Sequence, residues 1–213
     1  MLKALVVHNH IEGLTGLFQS DKDVHFDFAY TSAHFQPNLT PYDLLIVPNG
    51  SDHLAMAKIK EEVHAFLNAG KALFCFDGWF TDWVPRNQWI MDNSHKTIDI
   101  RYQIPSDEKG LMENVPIESL NFSHGISGWW SCGYIDAHPQ AEGIIEDTWQ
   151  RPMLIRDEVS THGLMILTAS GPVSDATYAT TDDEGANGDI GRLFRNCLRY
   201  ETKRKNKLIS TSV

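Results

Sequence analysis

The chain has only three cysteines in 213 residues, Cys75, Cys132 and Cys197, far apart and with no CxxC pair. That scarcity excludes a disulfide framework and a cysteine zinc site, and it fits a reducing compartment. Long apolar runs are missing as well. The N-terminal stretch MLKALVVHNH has four apolar residues in a row after Lys3, too short for the core of a signal peptide. No run approaches the ~20 residues that span a bilayer. A soluble, cytoplasmic protein is expected. Basic charge is in short supply: 18 Lys and Arg against 28 Asp and Glu give a formal net charge of −10. Nucleic acids and anionic membranes are polyanions, so neither is expected as a partner. The exception is the cluster Lys203, Arg204, Lys205 and Lys207, and residues 201–213 read as a solvated, frayed basic tail. No repeat, linker or low-complexity segment interrupts the chain, and its length suits one domain at residues 1–200.

Hydrophobic residues make up 42% of the chain, enough for an ordinary core. KALVVHNH is a continuous aliphatic run of the kind a strand covered on both faces requires. VHFDFAYT alternates and reads as a strand near an edge. YDLLIVPNG gives a third strand, from Leu44 to Val47, punctuated by Pro48, Asn49 and Gly50. Ser51 or Asp52 can cap the following helix, whose apolar positions Leu54, Ile59, Val63, Phe66 and Leu67 recur at helical spacing. Asn68 and Gly70 stop it, and KALFCFD is the fourth strand. IEGLTGLFQS, with Gly13 and Gly16, reads as a brief helical turn. In the second half, KTIDIRYQI and HGLMILTAS read as strands, and EGIIEDTWQRPMLIRDE as two strands about a turn at Gln150, Arg151 and Pro152. ATTDDEGANGD is a polar loop before a closing helix in IGRLFRNCLRY.

Strand–helix–strand alternation implies parallel strands joined by right-handed crossovers. The expected fold is α/β and flavodoxin-like, with a mainly parallel sheet, helices on both faces and an irregular C-terminal part. Ligands of such sheets bind outside the carboxyl ends of the strands, where the strand order switches. That rule selects His8 to His10, Asn49 to His53 and Asp77 to Trp83.

Three pieces, YDLLIVPNGSD, VHAFLNAGKALFCFDGW and SHGISGWW, resemble the class I glutamine amidotransferase-like superfamily, nearest its trehalose-utilisation (ThuA-like) branch. The resemblance extends over roughly residues 1–200 as an order of elements. It implies a small polar ligand, carbohydrate derivatives included. In glutaminase members the nucleophilic cysteine is followed by one residue and then glycine. Here Phe76 stands two before Gly78, and Cys75 lies one place earlier. Side chains alternate along a strand, so that single place turns the thiol toward packing. DAHPQAE is similar to the element that supplies the amidotransferase base, which makes His138 the candidate partner of Cys75, although Gln140 stands where glutamate is expected. Gly50 resembles the oxyanion position of active relatives, where a turn aims backbone N–H groups into the pocket and favours an anion.

Asp77, at a strand end before Gly78, can bind a ligand hydroxyl, hold a cation or cap a helix. Asp77, Cys75 and His138 are therefore the catalytic candidates. His8, His10, Asn49, Gly50, Asp52, Gly78 and Trp79 are the ligand-binding candidates, with Trp79 forming the mouth. Trp79, Phe80, Trp83 and Trp89, with Trp129 and Trp130, suit a sugar pocket, a core or a subunit interface. His8 and His10 share a strand face and, with Asp52, His53, Asp77 or His124, could meet at a metal. No ligand spacing supports one, so neither a metal nor another cofactor is expected. Three readings stay open: a ThuA-like protein without an evident glutaminase triad, a cysteine-dependent amidase using Cys75 and His138, and a non-catalytic binding or assembly domain; a homo-oligomer is open in each.

Overall fold

The computed structural model describes residues 1–122, 132–175, 177 and 186–211. Seven strands form one sheet in the order β2-β1-β3-β4-β9-β8-β7. These are β1 (Leu2–His8), β2 (Val24–Tyr30), β3 (Leu44–Val47), β4 (Ala72–Phe76), β7 (Glu142–Glu146), β8 (Pro152–Asp157) and β9 (Leu164–Thr168). β1 to β4 and β9 run parallel, while β8 and β7 join antiparallel at one edge. The two central strands β3 and β4 are buried at every residue, as their unbroken apolar runs require. β2 lies at the opposite edge, as its alternating pattern predicts.

The helices are α1 (Leu14–Leu17), α2 (His53–Lys58), α3 (Lys60–Asn68), α4 (Ile117–Asn121), α5 (Pro172–Asp175) and α6 (Ala186–Thr211). Right-handed crossovers put α1 and the α2–α3 pair on opposite faces of the sheet. α6 shares the face of α1, where the Phe194 ring packs against Phe18, Phe26 and Phe76. The helix expected after Gly50 is two helices, because the backbone at Ile59 leaves helical geometry. Gly70 closes α3 at φ +80°, a left-handed conformation that glycine adopts without strain.

Two expectations are corrected. KTIDIRYQI is not a strand. It holds a short 3-10 turn at Thr97–Asp99 and one isolated bridge, Gln103 to Glu146. Side chains take the place of a ladder: the N–H groups of Arg101 and Tyr102 donate to Thr148 and Asn121. Residues 201–211 do not fray either, since they are the second half of α6, 26 residues long. Arg204 pairs with buried Glu201 and donates to the Gly70 carbonyl, and Lys205 pairs with Asp43. Arg204 and Lys205 face acceptors on the body of the protein, while Lys203 and Lys207 are exposed. The sequence reading also lacked a two-stranded antiparallel sheet, β5 (Gln88–Met91) with β6 (Gly133–Asp136). Among the described residues, no helix is long and apolar enough to cross a membrane.

Candidate functional site

β1 has β2 on one side and β3 on the other, so the chain reverses its direction of travel across the sheet between them. The crevice of an α/β sheet opens at that point. Here it is bridged, because Asn9 donates from Nδ2 to the Gly50 carbonyl at 3.0 Å. Gly50 stands at φ +76°, and its N–H points at Asp77, donating to Oδ2 at 3.0 Å. The Gly turns after β3 and β4 thus meet at one carboxylate.

Asp77 does not cap a helix, because none follows it. Its Oδ1 accepts from Gly78 N–H at 2.8 Å, and its Oδ2 also lies 3.2 Å from His53 Nε2. His53 opens α2 and is buried, with its side chain 1% exposed. Its other ring nitrogen, Nδ1, lies 3.1 Å from the Trp83 indole nitrogen. An indole N–H can only donate, so Nδ1 must be the acceptor and Nε2 must carry the proton given to Asp77. The imidazole is therefore neutral, with one defined tautomer. A catalytic histidine needs one nitrogen free to take a proton from a nucleophile. His53 has none.

Cys75 is 0% exposed within β4, and its thiol donates to the Asp77 carbonyl at 3.5 Å. Burial pushes this thiol well above its ordinary range, and the Asp77 charge adds to the rise against that weak hydrogen bond. His138 lies in the loop after β6. Its N–H donates to Asn87 Oδ1, and its Nδ1 accepts from Gln140 N–H. No hydrogen bond joins His138 to Cys75 or Asp77.

Other candidate residues have different employment. Asp52 caps α2, accepting from Ala55 N–H at 2.9 Å. Trp79 is 3% exposed and belongs to the core, so it does not form the mouth. Phe80, its neighbour, is 65% exposed and meets His53 edge-on at 5.4 Å. Gly78 lies beneath the Trp89 ring, 2.4 Å from where a Cβ would stand, and Trp89 donates to the Ala169 carbonyl. His8 and His10 pack with Tyr30 rather than with Asp77. His8 accepts from His10 N–H, and the His10 ring bonds the Thr31 carbonyl. Burial and the neighbouring His10 lower the His8 pKa below its ordinary 6.5. Among the described residues, no group of three or more His, Cys, Asp or Glu could hold a metal ion. His124, Trp129 and Trp130, within SHGISGWW, lie outside the described residues.

Asn49 reaches in a direction the sequence does not reveal. Its N–H donates to Ser174 Oγ, and its side chain donates to Asp175, both on α5 after β9. Its amide also lies against Gly171, 2.1 Å from where a Cβ would be. Desolvation and the nearby Asp77 charge raise the Asp175 pKa, opposed by hydrogen bonds from Asn49 and Ser174. This end of the sheet therefore holds two neighbouring carboxylates, Asp77 and Asp175, with the Asn49 amide bonded to the second. It is rich in hydrogen-bond acceptors, and its backbone donor at Gly50 is already satisfied. The one signal for Ser174 and Asp175 was the turn after HGLMILTAS, which gains meaning only once β9 is known to neighbour β4.

No protein-family model and no curated protein matches the sequence. Among solved structures, the chain is similar to a glutamine amidotransferase from Thermotoga maritima. That likeness has a TM-score of 0.55 at 11% identity and covers 96% of this chain and 97% of the other. At that identity it speaks for architecture alone: the chain has an α/β fold of the glutamine amidotransferase-like kind.

Proposed function

We propose that this is a ThuA-like protein that binds a small, neutral, hydroxyl-rich ligand, of the carbohydrate-derived class, and that it is not a glutaminase. One observation carries the reading: the imidazole nearest the β4 turn has both nitrogens engaged, by Trp83 and by Asp77. A buried thiol with a raised pKa gains no base from such a histidine. The acceptors that remain suit hydroxyl donors, since a carboxylate has about four lone-pair sites and Asp77 has three donors on it. Exposed Phe80 beside His53 offers an apolar face for the C–H side of a sugar ring. The ThuA-like assignment rests on the sequence resemblance, and the acceptor-rich cleft agrees with its polar ligand.

Calorimetric titration against sugars, polyols, amino acids and divalent metals tests this. Sugars or polyols should bind, and Asp77→Ala should weaken the best of them by about 1.5–3 kcal/mol, as for a charge-assisted contact. Glutamine should not be hydrolysed, and iodoacetamide should label exposed Cys132 long before buried Cys75. Glutaminase activity lost in Cys75→Ser would reverse the assignment.

A further inference from the structure

We propose that Asp77 is the built-in occupant of a carboxylate receptor, and that by filling it Asp77 makes the cleft refuse anionic ligands. The inference deepens the binding role proposed above, on which it rests for its biological meaning. Its geometry stands separately. Two donors from the turn between β3 and α2, Gly50 N–H and His53 Nε2–H, converge on Asp77 Oδ2 at 3.0 and 3.2 Å. Neither is held there by Asp77 alone. The Gly50 carbonyl is tied to Asn9, and the preceding residue, Asn49, is tied through its N–H to Ser174. His53 is fixed by the Trp83 hydrogen bond and by stacking on the Trp83 ring, with centroids 6.0 Å apart. If the carboxylate were removed, both donors would still point at the vacated place, and Gly78 N–H would lose its partner as well. His53 is buried, so its Nε2–H left without an acceptor is costly, and an external anion of the right shape gains by entering.

The shape is that of formate. Asp77→Ala deletes one carboxylate group and keeps Cβ, and formate is that group set free. Acetate carries an extra methyl, which competes with the alanine Cβ for space. Asp175 and the net charge of −10 oppose any anion, so the receptor should be weak and salt-sensitive. In the native protein the same arrangement has a different consequence. An incoming carboxylate finds its donors taken and two negative charges nearby, while a hydroxyl or ammonium group finds acceptors.

The test is thermal unfolding of wild type, Asp77→Ala and Asp77→Asn in sodium formate against sodium chloride at equal ionic strength. Saturating formate should raise the melting temperature of Asp77→Ala by about 3–5 °C over chloride, on the scaling for a domain of this size. It should also shift the Gly50 amide resonance of that variant. Wild type and Asp77→Asn, whose receptor remains filled, should show no formate effect beyond chloride. An Asp77→Ala chain that folds only in formate is the same result in stronger form. Three outcomes overturn the proposal: Asp77→Ala responding no more than wild type, Asp77→Asn responding equally, or Asp77→Ala remaining unfolded in formate while Asp77→Asn folds. A wild-type protein that binds no sugar would remove the function proposed above and leave this result to be decided by formate alone.

Discussion

The Trp83 indole N–H donates to Nδ1 of His53 at 3.1 Å, across 30 positions of sequence. That bond decides what the site can do, because it spends the nitrogen a general base would need. Long-range nitrogen NMR should show Nδ1 unprotonated and Nε2 protonated at neutral pH. Trp83→Phe keeps an aromatic ring but strands a buried acceptor, which should cost about 1–3 kcal/mol in urea unfolding. A variant as stable as wild type would show that the indole does not hold the imidazole.

His8 gives the stability a pH dependence of defined sign. Its folded-state pKa lies below 6.5, first through burial and then through His10. As pH falls through 6.5, the unfolded chain takes up a proton that the native imidazole refuses, so stability is present above that pH and drains away below it. The loss levels off once pH passes the folded-state value. Protonating Nδ1 would also break the bond from His10 N–H. Denaturation midpoints measured from neutral pH downward should fall, and His8→Asn, whose side-chain oxygen can accept that N–H, should flatten the slope. An equal slope in both proteins would assign the effect to other groups.

Two glycines should respond oppositely to alanine. At Gly78 a Cβ meets Trp89 ring atoms at 2.4 to 2.8 Å, and that ring is also held against Gly133. Overpacking there should cost about 1–3 kcal/mol. At Gly16, within α1, a Cβ meets nothing within 4 Å, and alanine should be neutral or stabilise by about 0.4–1 kcal/mol. Chemical denaturation of the two variants separates these expectations. A stable Gly78→Ala protein would mean that Trp89 moves freely off the β4 turn.

The end of α6 offers the plainest contrast with the sequence reading. A frayed tail could be removed without consequence, whereas a chain ending at Tyr200 loses buried Glu201, the Arg204 contact with Gly70 and the ion pair of Lys205 with Asp43. Burial also raises the Glu201 pKa, against its Arg204 partner, which marks a carboxylate held in the body of the protein. Truncation after Tyr200 removes the Glu201–Arg204 pair whole and strips the Gly70 carbonyl and Asp43 of a donor each, which should cost about 1–3 kcal/mol of unfolding stability. Truncation after Asn206, which removes exposed Leu208 and Ile209, should cost far less. Equal stability of the two truncations would return the segment to the status of a tail.

Local pattern alone determined much of this fold. ALVV, LLIV and ALFCF are apolar at every position, and a strand of that kind survives only between two layers, which makes the sheet parallel and central. The Gly50 and Gly70 turns were legible for the same reason, since punctuation by glycine is a property of one residue's backbone. KTIDIRYQI misled because an alternating pattern fits a strand, yet a ladder needs a neighbour with free N–H and C=O groups. The basic tail misled because charge predicts solvent unless an acceptor waits at the right height, and Gly70 O and Asp43 are set by the packing of other elements.

The site divides along the same line. That polar residues of β1, β3 and β4 gather at one end follows from parallel strands and could be read from their order. Which group satisfies Gly50 N–H could not. A carboxylate before glycine is equally suited to a cap, a cation or a hydroxyl until the loops are placed, and here Gly50 and His53 reach Asp77 across 27 and 24 positions. Nothing in HGLMILTAS says that it lies beside β4, so Ser174 and Asp175 entered the site only through sheet order. Sequence fixes which donors and acceptors the chain carries. Pairing them depends on distances and angles of a few tenths of an ångström, and those exist only after the strands have packed.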